Sequence, residues 1–117
     1  MVVKPARSLG AVTEGDAGLA ALIEEATVDA YGVDEQLSGF HAVLEEHVVV
    51  PFATVVLGVE VTVVGIDLPA GRGLVALCRR GGEPQPIDLR DLPLPTSPPE
   101  GVEWIHAYRR WAAGGLA

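Results

Sequence analysis

ATVVLGVEVTVVGIDL, residues Ala53–Leu68, is the stretch on which the fold turns. Its valines alternate with other side chains at a period of two, the signature of extended chain. Everything from Asp16 to Val48 instead repeats at 3.6. Helices followed by strands in one short chain predict an α+β unit.

Upstream, Leu19, Leu22, Ile23, Ala26 and Ala30 form one apolar stripe at i, i+3, i+4, i+7 spacing. Thr13 and Asp16 are both candidate N-caps, and Gly32 breaks the pattern. A second helix starts near Val33 or Asp34 and buries Leu37, Phe40, Leu44 and Val48. Pro51 bounds it, because proline disfavours helix in the residue before it. The short connection predicts an antiparallel helical hairpin over 14–50. Residues 1–13 show no period and are expected to be a flexible N-terminal arm.

Downstream, RGLVALCRR (Arg72–Arg80) reads as a strand and RRGGEP carries the glycines of a hairpin turn. QPIDL (Gln85–Leu89) is a short strand whose prolines place it at an edge, and RDLPLP leads into a last extended piece. These short strands predict a small SH3-like β-barrel over 53–95. PTSPPEG is a turn-rich linker. EWIHAYRRWAA then places Trp104, Tyr108 and Trp111 at i, i+4, i+7, so a C-terminal helix over 100–113 should close the core. The expectation is a single α+β domain over 14–117.

At 117 residues and 49% hydrophobic, the chain can bury a core without staples. One cysteine, Cys78, excludes an internal disulfide and fits a reducing, cytoplasmic setting. MVVKPARSLG lacks the apolar run of a signal peptide, and no apolar run is long enough for a membrane span. A net charge of −8 argues against nucleic acid and membrane as partners.

That charge is segregated. Between Arg7 and Arg72 there is no Lys or Arg, while eleven of the sixteen carboxylates lie there. On the first helix Glu25 and Asp29 are four apart, so they stack on the same side. The turn would then bring Asp34 and Glu35 back towards Asp29. Four acids at one end of a hairpin suit Ca²⁺, which takes six to eight oxygen ligands and accepts loop carbonyls among them. Glu45 lies eleven residues beyond Asp34, roughly 16 Å along a helix. A site at Glu45 and Glu46 would therefore be separate, completed by carboxylates such as Asp67, Asp88 or Asp91. Acids at a helix start are also stabilised by the macrodipole with no ion, and no EF-hand pattern occurs.

No catalytic signature appears. Cys78 reads as a core-facing strand residue, His41 and His47 cannot share a helix face, and His106 reads as a surface residue. The serines lack a nucleophile-elbow setting, and no phosphate-binding loop is present. The expectation is a non-enzyme.

VDAYGVDEQLSGFHAVLEEHVVVPFATVV (Val28–Val56), followed by VEVTVVGID and GLVALCRR, resembles the bacterial calcium-binding protein family first known from cyanobacteria. That family shows an acidic DAY…EEQ..G segment, then LE with another acid or amide, then PF leading into a small β-domain. GVEWIHAYRRW also looks like the family's ending, so the resemblance spans Val28 to Trp111. It implies cytosolic Ca²⁺ binding through surface acids, with helix content responding to the ion. The matching acids are Asp29, Asp34, Glu35, Glu45 and Glu46; His47 departs from the pattern, where a polar or amide-bearing residue is more typical.

The expectation is a cytoplasmic Ca²⁺-binding protein, buffer or sensor, with metal ligands drawn from Glu25, Asp29, Asp34, Glu35, Glu45 and Glu46. Binding should be micromolar or weaker and ahead of Mg²⁺. The rival expectation is an acidic protein–protein interaction module that docks a basic partner by charge complementarity.

Overall fold

The computed structural model describes residues 16–114. The expected arm at 1–13 lies outside them, as does the candidate cap Thr13. The elements run α1 (Asp16–Ala26), α2 (Val33–His47), β1 (Phe52–Val56), β2 (Val59–Asp67), β3 (Val75–Arg79), β4 (Gln85–Asp88) and α3 (Val102–Ala112). The chain is α+β, with three helices and one four-stranded antiparallel sheet among the described residues.

Helix α1 stops at Ala26, short of the expected Gly32. The Thr27 hydroxyl back-bonds to the Ile23 carbonyl at 2.7 Å, beside the Thr27 N–H, which donates to the same oxygen at 3.0 Å. Asp29 then takes a left-handed conformation at φ 60°, which no helix continues through. Gly32 plays the opposite part, as the extended N-cap of α2. Asp34 and Glu35 occupy the first turn of α2, and Glu35 Oε1 accepts a 2.8 Å bond from the Tyr31 N–H. That bond resembles a capping box displaced by one residue. The two helices meet where Gly39 lies under the end of α1. A Cβ on Gly39 would fall 2.1 Å from the Ala26 carbonyl oxygen, so only glycine permits this approach. Beyond that point α1 packs more on α3 than on α2.

The period-two stretch folds into two strands rather than one. Leu57 and Gly58, at φ 52° and 79°, form a two-residue turn, and Val56 pairs with Val59 across it. Positive φ at both turn positions is the geometry whose twist suits a tight hairpin. Strand order is β1-β2-β3-β4, each neighbour antiparallel, with a bulge between Val63 and Gly65 where β2 meets β3. Cys78 lies buried on β3 and Pro86 sits on the edge strand β4, both as the sequence predicts.

The SH3-like barrel does not close. Among the described residues β1 and β4 are both edges, with no ladder joining them. After β4 the chain does return to β1, where the Thr54 hydroxyl donates to the Pro93 carbonyl at 2.6 Å. Pro93 and Pro95 carry no N–H, so this segment lacks the alternate donors that a closing strand would supply.

The core joins Ile23 and Ala26 of α1, Phe40 and Leu44 of α2, Val63 and Ile66 of β2, and Trp104, Ile105 and Tyr108 of α3. Phe40 meets the Tyr108 ring edge-on at 5.5 Å and the Trp111 ring at 5.3 Å. Trp111 also donates to Gln36 Oε1 at 3.1 Å, and Trp104 stacks on His47 at 4.9 Å. The C-terminal helix therefore closes the core, as its aromatic spacing predicts. Arg109 turns inward and donates to the carbonyls of Leu89 and Leu92, fixing the turn after β4.

Tyr108 is 2% exposed, and its hydroxyl accepts the Leu74 N–H at 3.1 Å. Burial raises its pKa above the ordinary value. A raised folded-state pKa means the associated stability is intact below the unfolded value, about pH 10, and is lost as pH rises through the folded one. Alkaline titration followed by tryptophan fluorescence should show unfolding above about pH 10. Tyr108→Phe should move that loss to higher pH. At neutral pH it should cost about 1–3 kcal/mol, because the Leu74 N–H is left buried and unpaired.

Candidate functional site

The end of α1, the turn after it and the first turns of α2 enclose an open depression of about 430 Å³. Asp29, Asp34 and Glu35 line it together with Ala26, Val28, Ala30, Ser38 and Gly39, and among the described residues no Lys or Arg does. Each position has a local cause. Asp29 is there because the left-handed turn carries the chain away from α1. Asp34 and Glu35 are there because a helix start favours carboxylates. Gly39 sets how closely α1 and α2 approach, and so shapes the floor.

Three of the four acids expected at this end thus share one surface. Glu25 does not line it. The predicted stacking of Glu25 with Asp29 needs a helix through both residues, and α1 ends at Ala26. Glu45 and Glu46 are exposed near the far end of α2. Glu45 Oε2 lies 3.3 Å from His41 Nε2, which also contacts the Ile66 carbonyl oxygen at 3.1 Å.

Two of the three sheet-region carboxylates expected to complete a second site, Asp67 and Asp88, have other partners. Asp88 takes two side-chain bonds from Arg90, at 3.0 and 2.7 Å, and that guanidinium holds its carboxyl below the usual range. Asp67 Oδ1 accepts the Leu68 N–H at 2.8 Å. Among the described residues, no group of three or more Asp, Glu, His or Cys side chains converges closely enough to hold a metal ion. A pre-formed cage is therefore not part of this fold's described region. What exists is a rim of exposed carboxylates around a shallow basin.

The apolar neighbours of that rim are what a charge-based reading passes over. Val28, Tyr31 and Val33 are 66%, 86% and 64% exposed. The signal lies in their phase, since all three fall outside the buried stripes of both helices. A large aromatic side chain that the core does not need, bracketed by acids, has the composition of a contact surface.

Comparison with protein-family models, with curated proteins and with solved structures found no match for this chain. The calcium-binding resemblance therefore stands on the quoted residues alone.

Proposed function

We propose that the α1–α2 turn is a low-affinity Ca²⁺ site, and that the protein acts as a non-catalytic calcium buffer or sensor. One observation carries the reading: Asp29, Asp34 and Glu35 line a single basin that no Lys or Arg among the described residues lines. Unpaired carboxylates repel one another, and a divalent cation would relieve that repulsion. Ca²⁺ suits the basin better than Mg²⁺, because it accepts irregular shells that mix carboxylates with backbone carbonyls and water. The side chains must be drawn together on binding, and one Glu35 oxygen is already held by Tyr31. Both costs point to an affinity at the weak end of the micromolar-to-millimolar range.

The test is calorimetry in metal-stripped buffer. Asp29→Asn with Asp34→Asn should weaken Ca²⁺ binding by about tenfold or more, a loss of at least about 1.4 kcal/mol. Glu60→Gln with Asp91→Asn removes the same charge at exposed positions elsewhere and should leave the affinity within about twofold, or about 0.4 kcal/mol. Equal losses would mean diffuse electrostatics with no site at the turn.

A second reading is favoured by the exposed Val28, Tyr31 and Val33. Apolar and aromatic groups bracketed by acids fit a basic, amphipathic segment of a partner protein. Heat with a Lys- and Leu-rich helical peptide, together with none for Ca²⁺, would select that reading.

A further inference from the structure

Apart from the acidic basin, the β1–β2 hairpin ends in a feature that folding alone does not explain. Leu57 is 96% exposed and sits at φ 52°. A two-residue turn of this type favours Asn, Asp or Gly, and a γ-branched apolar residue there is unfavourable both in backbone and in hydration. Local choices that oppose the fold concentrate at functional positions.

Beside that protruding side chain lies a socket. The core-side face of the sheet continues past its helical cover into a groove of about 420 Å³ that no helical residue lines. Its apolar wall is Val56, Val59, Val61 and Ile87, and its rim carries Arg80 and Glu83. Both rim residues are exposed and neither has a hydrogen bond or ion pair within the described structure. The groove shares no lining residue with the acidic basin.

We infer that this end of the sheet is a self-association surface, in which two copies insert their Leu57 side chains into each other's grooves. The charge pattern selects a second copy as occupant. At a net charge of −8, most approaches between two such chains are repulsive. This rim pairs one arginine with one glutamate, so a two-fold axis would place Arg80 against Glu83 of the second copy, twice. Such a patch is self-complementary, as an isologous contact requires. A contact built from two hairpin tips is small, so the dimer should be transient, with a micromolar dissociation constant.

Sedimentation velocity over a concentration series tests this, run in chelator so that the outcome is independent of the calcium reading. The wild-type chain should shift from the mass of one chain to that of two as concentration rises. Leu57→Asn should weaken dimerisation roughly a hundredfold or more, since two leucines leave each interface. The same variant should melt, at low concentration, no lower than wild type, because Asn suits the turn better. That separates loss of a contact from damage to the fold. Arg80→Glu should also abolish the dimer, and Arg80→Glu combined with Glu83→Arg should restore it. A wild-type chain of single mass at every concentration, or a Leu57→Asn variant that dimerises undiminished, overturns the inference.

Discussion

Gly101→Ala is expected to lower the protein's folding stability by about 4 kcal/mol. Gly101 precedes α3 at φ 90°, and its Cα lies against the end of α2. A Cβ there would sit 2.1 Å from the His47 carbonyl oxygen and 2.8 Å from Val48 Cα. Both are backbone atoms, so no rotamer change gives relief. The linker is also tied down beside the clash, because the Val49 N–H bonds the Glu100 carbonyl at 3.0 Å. The left-handed strain alone costs about 1–2 kcal/mol for a residue with a Cβ. With the displaced backbone, the total should reach about 4 kcal/mol, the exceptional end of single substitutions. Against a typical domain stability of about 5–15 kcal/mol, that lowers the melting midpoint by about 15 °C. Gly101→Asn is the informative partner. Asparagine tolerates positive φ but carries a Cβ, so it should melt nearly as low. An asparagine variant close to wild type would show that strain, and not the clash, is what glycine avoids.

Phe40→Ala should have an effect of comparable size. Phe40 is fully buried on α2 and forms a three-ring cluster with Tyr108 and Trp111, which also touch each other at 6.0 Å. Truncation removes the area term, leaves a cavity and forfeits two aromatic contacts, for a loss of about 3–5 kcal/mol. Phe40→Leu retains most of the volume and should lose about 1.5 kcal/mol or less. Because Trp111 is one of the two rings involved, thermal melts and tryptophan emission report the same change. A loss below about 1 kcal/mol for Phe40→Ala would mean that α2 and α3 do not share this core.

The organisation of the chain was legible wherever a buried face imposes a period. Phe40, Leu44 and Val48 follow the 3.6 spacing and are buried; Trp104 and Tyr108 do the same in α3. The edge placement of β4 was legible because proline lacks a donor. Element ends were not. Gly32 reads as a helix stop, whereas α1 ends at Ala26 and Asp29 turns the chain away in a left-handed conformation. Asparagine and aspartate can enter that conformation without announcing it, so the sequence offered no mark. The same error propagated to the site, since Glu25 was placed beside Asp29 on a helix that ends between them.

Sequence by itself determined that this is an α+β chain, which faces are apolar, and that its acids are segregated from its bases. Those properties are local: they follow from side-chain periodicity and from a count of charges along the chain. Only the tertiary structure decided that Glu25 is left out of the basin that Asp29, Asp34 and Glu35 line. It also decided that the sheet stays open, and that Gly39 and Gly101 are contact points. These depend on where one backbone meets another, at Ala26 under Gly39 and at His47 under Gly101. No residue type encodes the distance between two segments far apart in the chain; packing sets it once the apolar faces are buried together.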